Sequence, residues 1–307
     1  MASTSVVEAA RQSLGSVGAY LPIPFTSAPP VDLQREAAGR LERAGYRTAW
    51  TNETVGGKDP FVQLALLLPA TDRMTFGIGI ANVWARAPQT AHGAAAQLAQ
   101  AYPGRLVLGL GVGYPEQAAA VGREFGRPLA TMRDYLERMH ARTMTPAPEA
   151  SYPRILAANG PKMTALAGEM ADGVLPAGLP PAFTAHVRQA LGPDQLLVVG
   201  LSVITDTADR DTARATARNA VTTALSRSWY AATIARLGYT DREIAAVSDE
   251  LVSAIVAYGD PDSIAAAVAA HRGAGADHVI LMSSGSATTV DLLAGVRQLE
   301  QLAPAVL

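Results

Sequence analysis

The chain has 307 residues, 49% of them hydrophobic, a formal net charge of −2 and no cysteine. That is enough apolar material for one large α/β domain or two ordinary ones. The balanced charge leaves no footprint for nucleic acid or an acidic membrane surface, and the lack of cysteine excludes disulfides and thiolate metal sites.

The opening stretch MASTSVVEAARQSLGSVGAYL carries Glu8 and Arg11 among its apolar residues and does not read as a signal peptide. No segment reaches the roughly 18 apolar residues of a membrane span. A soluble, cytoplasmic protein acting on a small molecule is expected. Residues 1–15 then read as an N-terminal extension. Strands are expected at SVGAYL (16–21), YRTAW (46–50), MTFGIGIA (74–81), RLVLGLG (105–111), RILAA (154–158), DGVLPA (172–177), LLVVGLSVI (196–204) and DHVILMS (277–283). Helical stretches separate them, and residues 207–258 form a long helical insertion before the last strand. Most of the strand candidates are continuous apolar runs, as in parallel strands covered on both faces. About eight strands alternating with helices predict a single (β/α)8 TIM barrel with insertions over residues 1–307.

The glycines of LGLGVGYPEQ, at Gly109, Gly111 and Gly113, invite a different reading as a dinucleotide turn in a doubly wound sheet. Such a fold places G-x-G-x-x-G after its first strand. Here the glycines follow the fourth strand with spacing G-x-G-x-G, and the first strand runs into LPIPF, whose prolines cannot make that turn. Glycines in this place instead suit a strand that stays slim inside a closed barrel.

In a barrel the residues just past each strand are the candidates for function. After the fifth strand, AANGPKM can hold an anion. Asn159 can cap the following helix, Gly160 lets a ligand approach, Pro161 fits the first helical position and Lys162 adds charge. A plain capped helix is the alternative. Arginine supplies nearly all the basic residues, and Lys58 and Lys162 are the only lysines, so a lysine beside a motif attracts notice. MSSGSA (282–287) offers a second anion candidate through Ser283, Ser284, Gly285 and Ser286. The five histidines show no metal-ligand spacing, so no metal site is expected, and His92 reads as a packed helix residue. Pro24, Phe25, Trp84 and Tyr114 follow strands one, three and four. They can wall an apolar substrate pocket or simply cap the core.

Three segments, GIGIANVWARAPQTAHGAAAQLAQAYPGRLVLGLGVG, RILAANGPKMTALAGEMADGVLPAG and LVSAIVAYGDPDSIAAAVAAHRGAGADHVILM, resemble the luciferase-like flavin and deazaflavin oxidoreductases. The likeness is to their actinobacterial branch, which uses coenzyme F420. It implies hydride transfer between F420 and an unidentified small organic substrate. An FMN-dependent monooxygenase and a non-catalytic deazaflavin- or flavin-binding protein are the alternatives. The resemblance also implies a non-prolyl cis peptide at Ala81–Asn82 supporting the cofactor ring, with Val112 and Gly113 against the ring or its ribityl chain. It places Asn52 and Glu53 near the reacting carbon, where Glu53 is an acid or base if the pocket raises its pKa; a solvated loop is the other reading there. Relatives are often homodimers. The stretch HARTMTPAPEASY is short for the family, and the 207–258 insertion covers the cleft or builds a dimer contact.

Overall fold

The computed structural model describes residues 2–23, 28–204, 210–283 and 291–307, with residues 2–5 described by backbone alone. Eight parallel strands close into a barrel. They are β1 (Val17–Tyr20), β2 (Thr48–Thr51), β3 (Thr75–Asn82), β4 (Leu106–Gly111), β5 (Arg154–Ala157), β6 (Gly173–Leu175), β7 (Leu196–Ile204) and, after a short β8 (Val256–Tyr258), β9 (His278–Ser283). Each of β1 to β6 pairs with the next in chain order, and β7–β9 and β9–β1 complete the ring. All eight expected strands form, and β7 has the bounds read from the sequence.

The helices are α1 (Ala2–Leu14), α2 (Val31–Arg43), α3 (Pro60–Leu67), α4 (Pro88–Ala101), α5 (Pro115–Ala119), α6 (Pro128–Met139), α7 (Pro161–Met170) and α8 (Pro181–Leu191). Then follow α9 (Arg210–Leu225), α10 (Ser228–Arg236), α11 (Asp241–Ala246), α12 (Asp249–Ile255), α13 (Pro261–Gly273) and α14 (Leu292–Val306). Seven of them begin on proline, whose fixed φ suits the first helical position and whose missing N–H costs nothing there. Each such proline stops the preceding loop at a defined point and keeps the strand ends short.

The insertion differs from its sequence reading. It holds α9 to α12 and then β8, a ninth strand lying along Ser202–Ile204 of β7. The reason is in the ladder lengths. β6 pairs with β7 at Gly173–Leu196 and Val174–Leu197, and just past it Ala177 bridges Gly200, so the edge of β7 above Gly200 is left open and β8 fills it.

Two apolar layers result from strand alternation. Leu106, Leu108 and Leu110 face the helices, while Trp50, Val107, Ile155, Leu175, Val198 and Ile280 fill the barrel interior. Residues read as an extension form α1, which sets Val7, Ala10 and Leu14 against that inner cluster and closes the barrel floor. Its Arg11 Nε donates to Asp277 Oδ1 at 3.1 Å. Buried His278 receives the Trp50 indole N–H on Nε2 at 3.0 Å, which leaves Nδ1 to donate to the Gly15 carbonyl at 2.8 Å. Burial holds His278 neutral, its pKa lowered to about 4.

Candidate active site at the carboxyl end of the barrel

At the opposite end the inward positions become small or polar. Above Val107 the inner face of β4 is Gly109 and Gly111, and the side chain of Ile80 lies over both. A Cβ on Gly109 would stand 2.2 Å from the Ile78 carbonyl oxygen, and one on Gly111 would stand 2.8 Å from Ile80. The slimness expected of this strand is therefore real, and Ile80 uses the space. Gly113 has a separate cause: its φ is +56°, and a Cβ there would meet Gln117 and Asn82.

The β3 bulge is the first correction. Its register with β4 shifts between Ile78 and Ala81, and the cis peptide bond is Gly79–Ile80, not Ala81–Asn82. Gly79 sits over Trp50 and Leu175, where a Cβ would already be tight at 3.3 Å, so the irregularity falls at the residue without a side chain. Ala81 and Asn82 follow as paired strand residues, opposite Leu110 and Gly111.

A hydrogen-bond chain joins the ends of β2, β3 and β4. The Glu53 N–H donates to the Ile80 carbonyl at 3.0 Å, and Glu53 Oε2 accepts from the Asn82 N–H at 2.6 Å. Asn82 Nδ2 donates to Gln117 Oε1 at 3.1 Å, which also accepts from the Tyr114 N–H. Asn82 Oδ1 receives the Trp84 N–H, and the Trp84 indole donates to the Val112 carbonyl at 2.8 Å while packing on Phe125. Burial raises the Glu53 pKa, opposed by the Asn82 N–H and by Arg86 nearby. Asn52 donates from Nδ2 to the Glu53 carbonyl, and its Oδ1 accepts from Lys58 Nζ at 3.0 Å. Burial lowers the Lys58 pKa to about 8.

The anion candidate after β5 is changed in one respect. The N-cap of α7 is Gly160, without a side-chain cap. Asn159 does not cap: its Nδ2 donates to the Ala177 carbonyl and its Oδ1 accepts the Ala177 N–H, at 3.2 and 3.1 Å, clamping the ends of β5 and β6 together. The first-turn N–H groups of α7 thus have no side-chain cap. Space around Gly160 is open, and Lys162 is exposed beside it.

The insertion covers this side of the mouth. Tyr230 of α10 donates its hydroxyl to the Gly178 carbonyl, and Thr233 Oγ1, which donates to the Trp229 carbonyl at 2.9 Å, lies 3.5 Å from the Asn159 carbonyl. Arg227 lies 5.1 Å from the ring centroid of Tyr114, bridging the β4 loop to the insertion. Beneath them is a cavity of about 220 Å³, lined by Asn159, Ala177, Gly178, Ser202 and Met282 from the barrel and by Tyr230 from the insertion, among others. Tyr114 and Trp229 stand 43% and 41% exposed at its edge.

The structure therefore brings Asn52, Glu53, Ala81, Asn82, Trp84, Val112, Gly113 and Tyr114 together on the β2–β4 side. Asn159 to Lys162 lie on the β5–β6 side. Pro24 and Phe25, with Ser284 to Ser286, lie outside the described residues. Sequence reading missed Gln117, the insertion's Arg227 and Tyr230, inward-facing Tyr20 and Ser202, and the role of Lys58. For Lys58 the signal was present in its scarcity. Among the described residues no cluster of three or more His, Asp or Glu can hold a metal, and no helix is long and apolar enough to cross a membrane.

A family model described as luciferase-like monooxygenase matches residues 15–278. A Mycobacterium tuberculosis protein provisionally named a coenzyme F420-dependent oxidoreductase is 26% identical, over 90% of this chain and 97% of its own. Among solved structures, an F420-dependent secondary alcohol dehydrogenase in complex with an F420-acetone adduct superposes with a TM-score of 0.70 at 15% identity, covering 95% of this chain and 99% of that one. The oxygenating constituent of 3,6-diketocamphane monooxygenase from Pseudomonas putida, in complex with FMN, gives 0.68 at 14% identity over 95% and 98%. At such identities these two likenesses establish the fold.

Proposed function

We propose, for a chain that belongs to the luciferase-like monooxygenase family, hydride transfer between coenzyme F420 and a small organic substrate at the carboxyl end of the barrel. The observation that carries this reading is the pairing of a cavity walled by small residues with an uncapped helix. Ala177, Gly178 and Ser202 line the cavity of about 220 Å³ at the mouth, beside the uncapped start of α7, with room for part of a flat ring. Gly160, Pro161 and Lys162, with unspent N–H groups at the start of α7, suit a phosphate. These residues fit a phosphorylated ring cofactor. Similarity to the mycobacterial relative favours the deazaflavin over FMN.

When bound, a deazaflavin supplies hydride chemistry with little reactivity toward oxygen, and the chain supplies position and environment. Ile80 and Val112 give the ring an apolar backing. Asn82, held by Glu53, Trp84 and Gln117, fixes the bulge that the ring would meet. Tyr114, Arg227 and Tyr230 close one side of the mouth and exclude water there. Glu53 holds the Asn82 N–H through Oε2, and its role here is positioning.

The test is to titrate purified protein with F420 and, separately, with FMN, following each by its own absorbance and by tryptophan fluorescence. Binding of F420 with no binding of FMN is expected. Tight FMN binding without F420 binding would overturn the assignment in favour of a flavin monooxygenase. Binding of F420 with no substrate-dependent bleaching across a panel of ketones, imines and enones would favour a carrier of the cofactor.

A further inference from the structure

Lys58 is a cation in an expensive place. The loop carrying it folds back on itself, with the Thr54 N–H donating to the Lys58 carbonyl at 3.1 Å and the Lys58 N–H to the Thr54 carbonyl at 2.9 Å. That pins the backbone and returns the side chain over the end of β2, where Nζ reaches Asn52 Oδ1. Thr48 and Trp50 face the barrel interior, and strand alternation carries Asn52 to the same side. The ammonium is therefore set at the inner rim of the mouth.

Its neighbours do not neutralise it. Glu53 is engaged by the Asn82 N–H. Asp59 caps α3 through the Phe61 and Val62 N–H groups and pairs with Arg86. Among the described residues no carboxylate forms an ion pair with Lys58, and its side chain has one hydrogen bond, to a neutral amide. One N–H is spent and two remain. A half-buried ammonium in this state carries a desolvation cost that an anionic oxygen would offset. Its lowered pKa of about 8 still leaves it mostly charged at neutral pH.

We propose that Lys58 binds a carboxylate of the substrate at the barrel mouth, so that the substrate class is a small organic acid. The proposal rests on the mouth being the active site inferred above. A carboxylate is favoured over a phosphate because Lys58 offers one unpaired charge, the nearby Arg86 being paired with Asp59. The nearest helix start is not available, since Asp59 already takes the first N–H groups of α3.

The chain's two lysines make the test direct, because an amine reagent has only Lys58, Lys162 and the N-terminal amine to modify. Wild-type protein is labelled with trace acetic anhydride at several pH values, with and without acetate or benzoate, and each site is read by mass spectrometry. Protection of Lys58 by at least one carboxylate, with Lys162 unaffected, is expected. Benzyl alcohol, a neutral match for benzoate, should not protect. Benzoate binding by calorimetry should weaken about tenfold or more in Lys58→Met and stay within about threefold in Lys58→Arg, which keeps the charge. No protection by either carboxylate overturns the proposal, as does equal benzoate affinity in Lys58→Met or better protection by inorganic phosphate. An F420 titration of the same wild-type sample separates the two inferences. Loss of F420 binding with protection intact sinks only the cofactor reading, and F420 binding without protection sinks only this one.

Discussion

The two ends of the barrel handle buried polar groups in opposite ways. At the floor His278 has both ring nitrogens paired and Thr48 donates to the Leu14 carbonyl. Arg11 and Arg188 there share Asp277. At the mouth Lys58 has one neutral partner among the described residues. A network closed but for the buried Gln195 Oε1 makes the floor the stabilising end. The open valences mark the mouth as the end where stability is given up for binding.

If that contrast is right, the largest stability loss comes from the floor. Trp50→Ala empties the fully buried centre of the inner cluster, where Gly77, Val107 and Leu175 surround the indole, and leaves the His278 acceptor unpaired. A loss of about 3–5 kcal/mol is expected, read as a lower urea midpoint. A loss below about 1 kcal/mol would show that the floor is not the keystone described here.

Acid should expose the same end next. His278 has its pKa depressed from 6.5 to about 4, so its contribution is complete above pH 6.5 and is lost as pH falls through 4. His271, also buried and lowered to about 4, acts in the same direction. Together they make the protein acid-sensitive, with His278 worth up to roughly 3 kcal/mol. Urea midpoints measured from pH 7 to pH 4 should fall steeply, and His278→Gln should flatten part of that fall. An unchanged pH profile in the variant would remove His278 from the account.

At the mouth, substitutions should separate binding from folding. Gly111→Ala places a methyl 2.8 Å from the end of the Ile80 side chain, which must move to admit it and so disturbs the wall proposed to back the ring. A stability loss of about 1 kcal/mol and at least tenfold weaker F420 binding are expected. If stability and binding fall in proportion, the inner wall of β4 is packing only.

How far the sequence reveals each end follows from the signals each uses. The barrel was legible because its strands are apolar runs alternating with helical stretches; β7 was readable to the residue. β8 was not, because three residues of ordinary composition become a strand only when β6 ends early and leaves an edge beside them. The mouth was legible by position, since residues past strand ends gather there whatever their identity. The bonds they make were not. Asn159 looks like a helix cap in sequence because it precedes Gly-Pro, yet the adjacent β6 end offers it two backbone partners at once. The bulge likewise falls at Gly79, where Trp50 of the neighbouring β2 and Leu175 of β6 crowd the backbone.

The smallest effect is the most diagnostic, because its sign is unusual. Lys58 has its pKa lowered from 10.5 to about 8 by burial, so the folded state disfavours its charged form. The cost is full below about pH 8 and disappears as pH rises through 10.5, where the amine is neutral folded or unfolded. Lys58→Met should therefore stabilise the protein at pH 7, on the order of 1 kcal/mol once solvent screening at this half-buried site is allowed for, and about 2–4 °C in Tm. The gain should shrink toward pH 10. A residue kept for structure would give the opposite sign, because removing it would cost its Asn52 hydrogen bond and return nothing. A lower Tm for Lys58→Met at pH 7 would thus place Lys58 with the floor residues, as part of the scaffold.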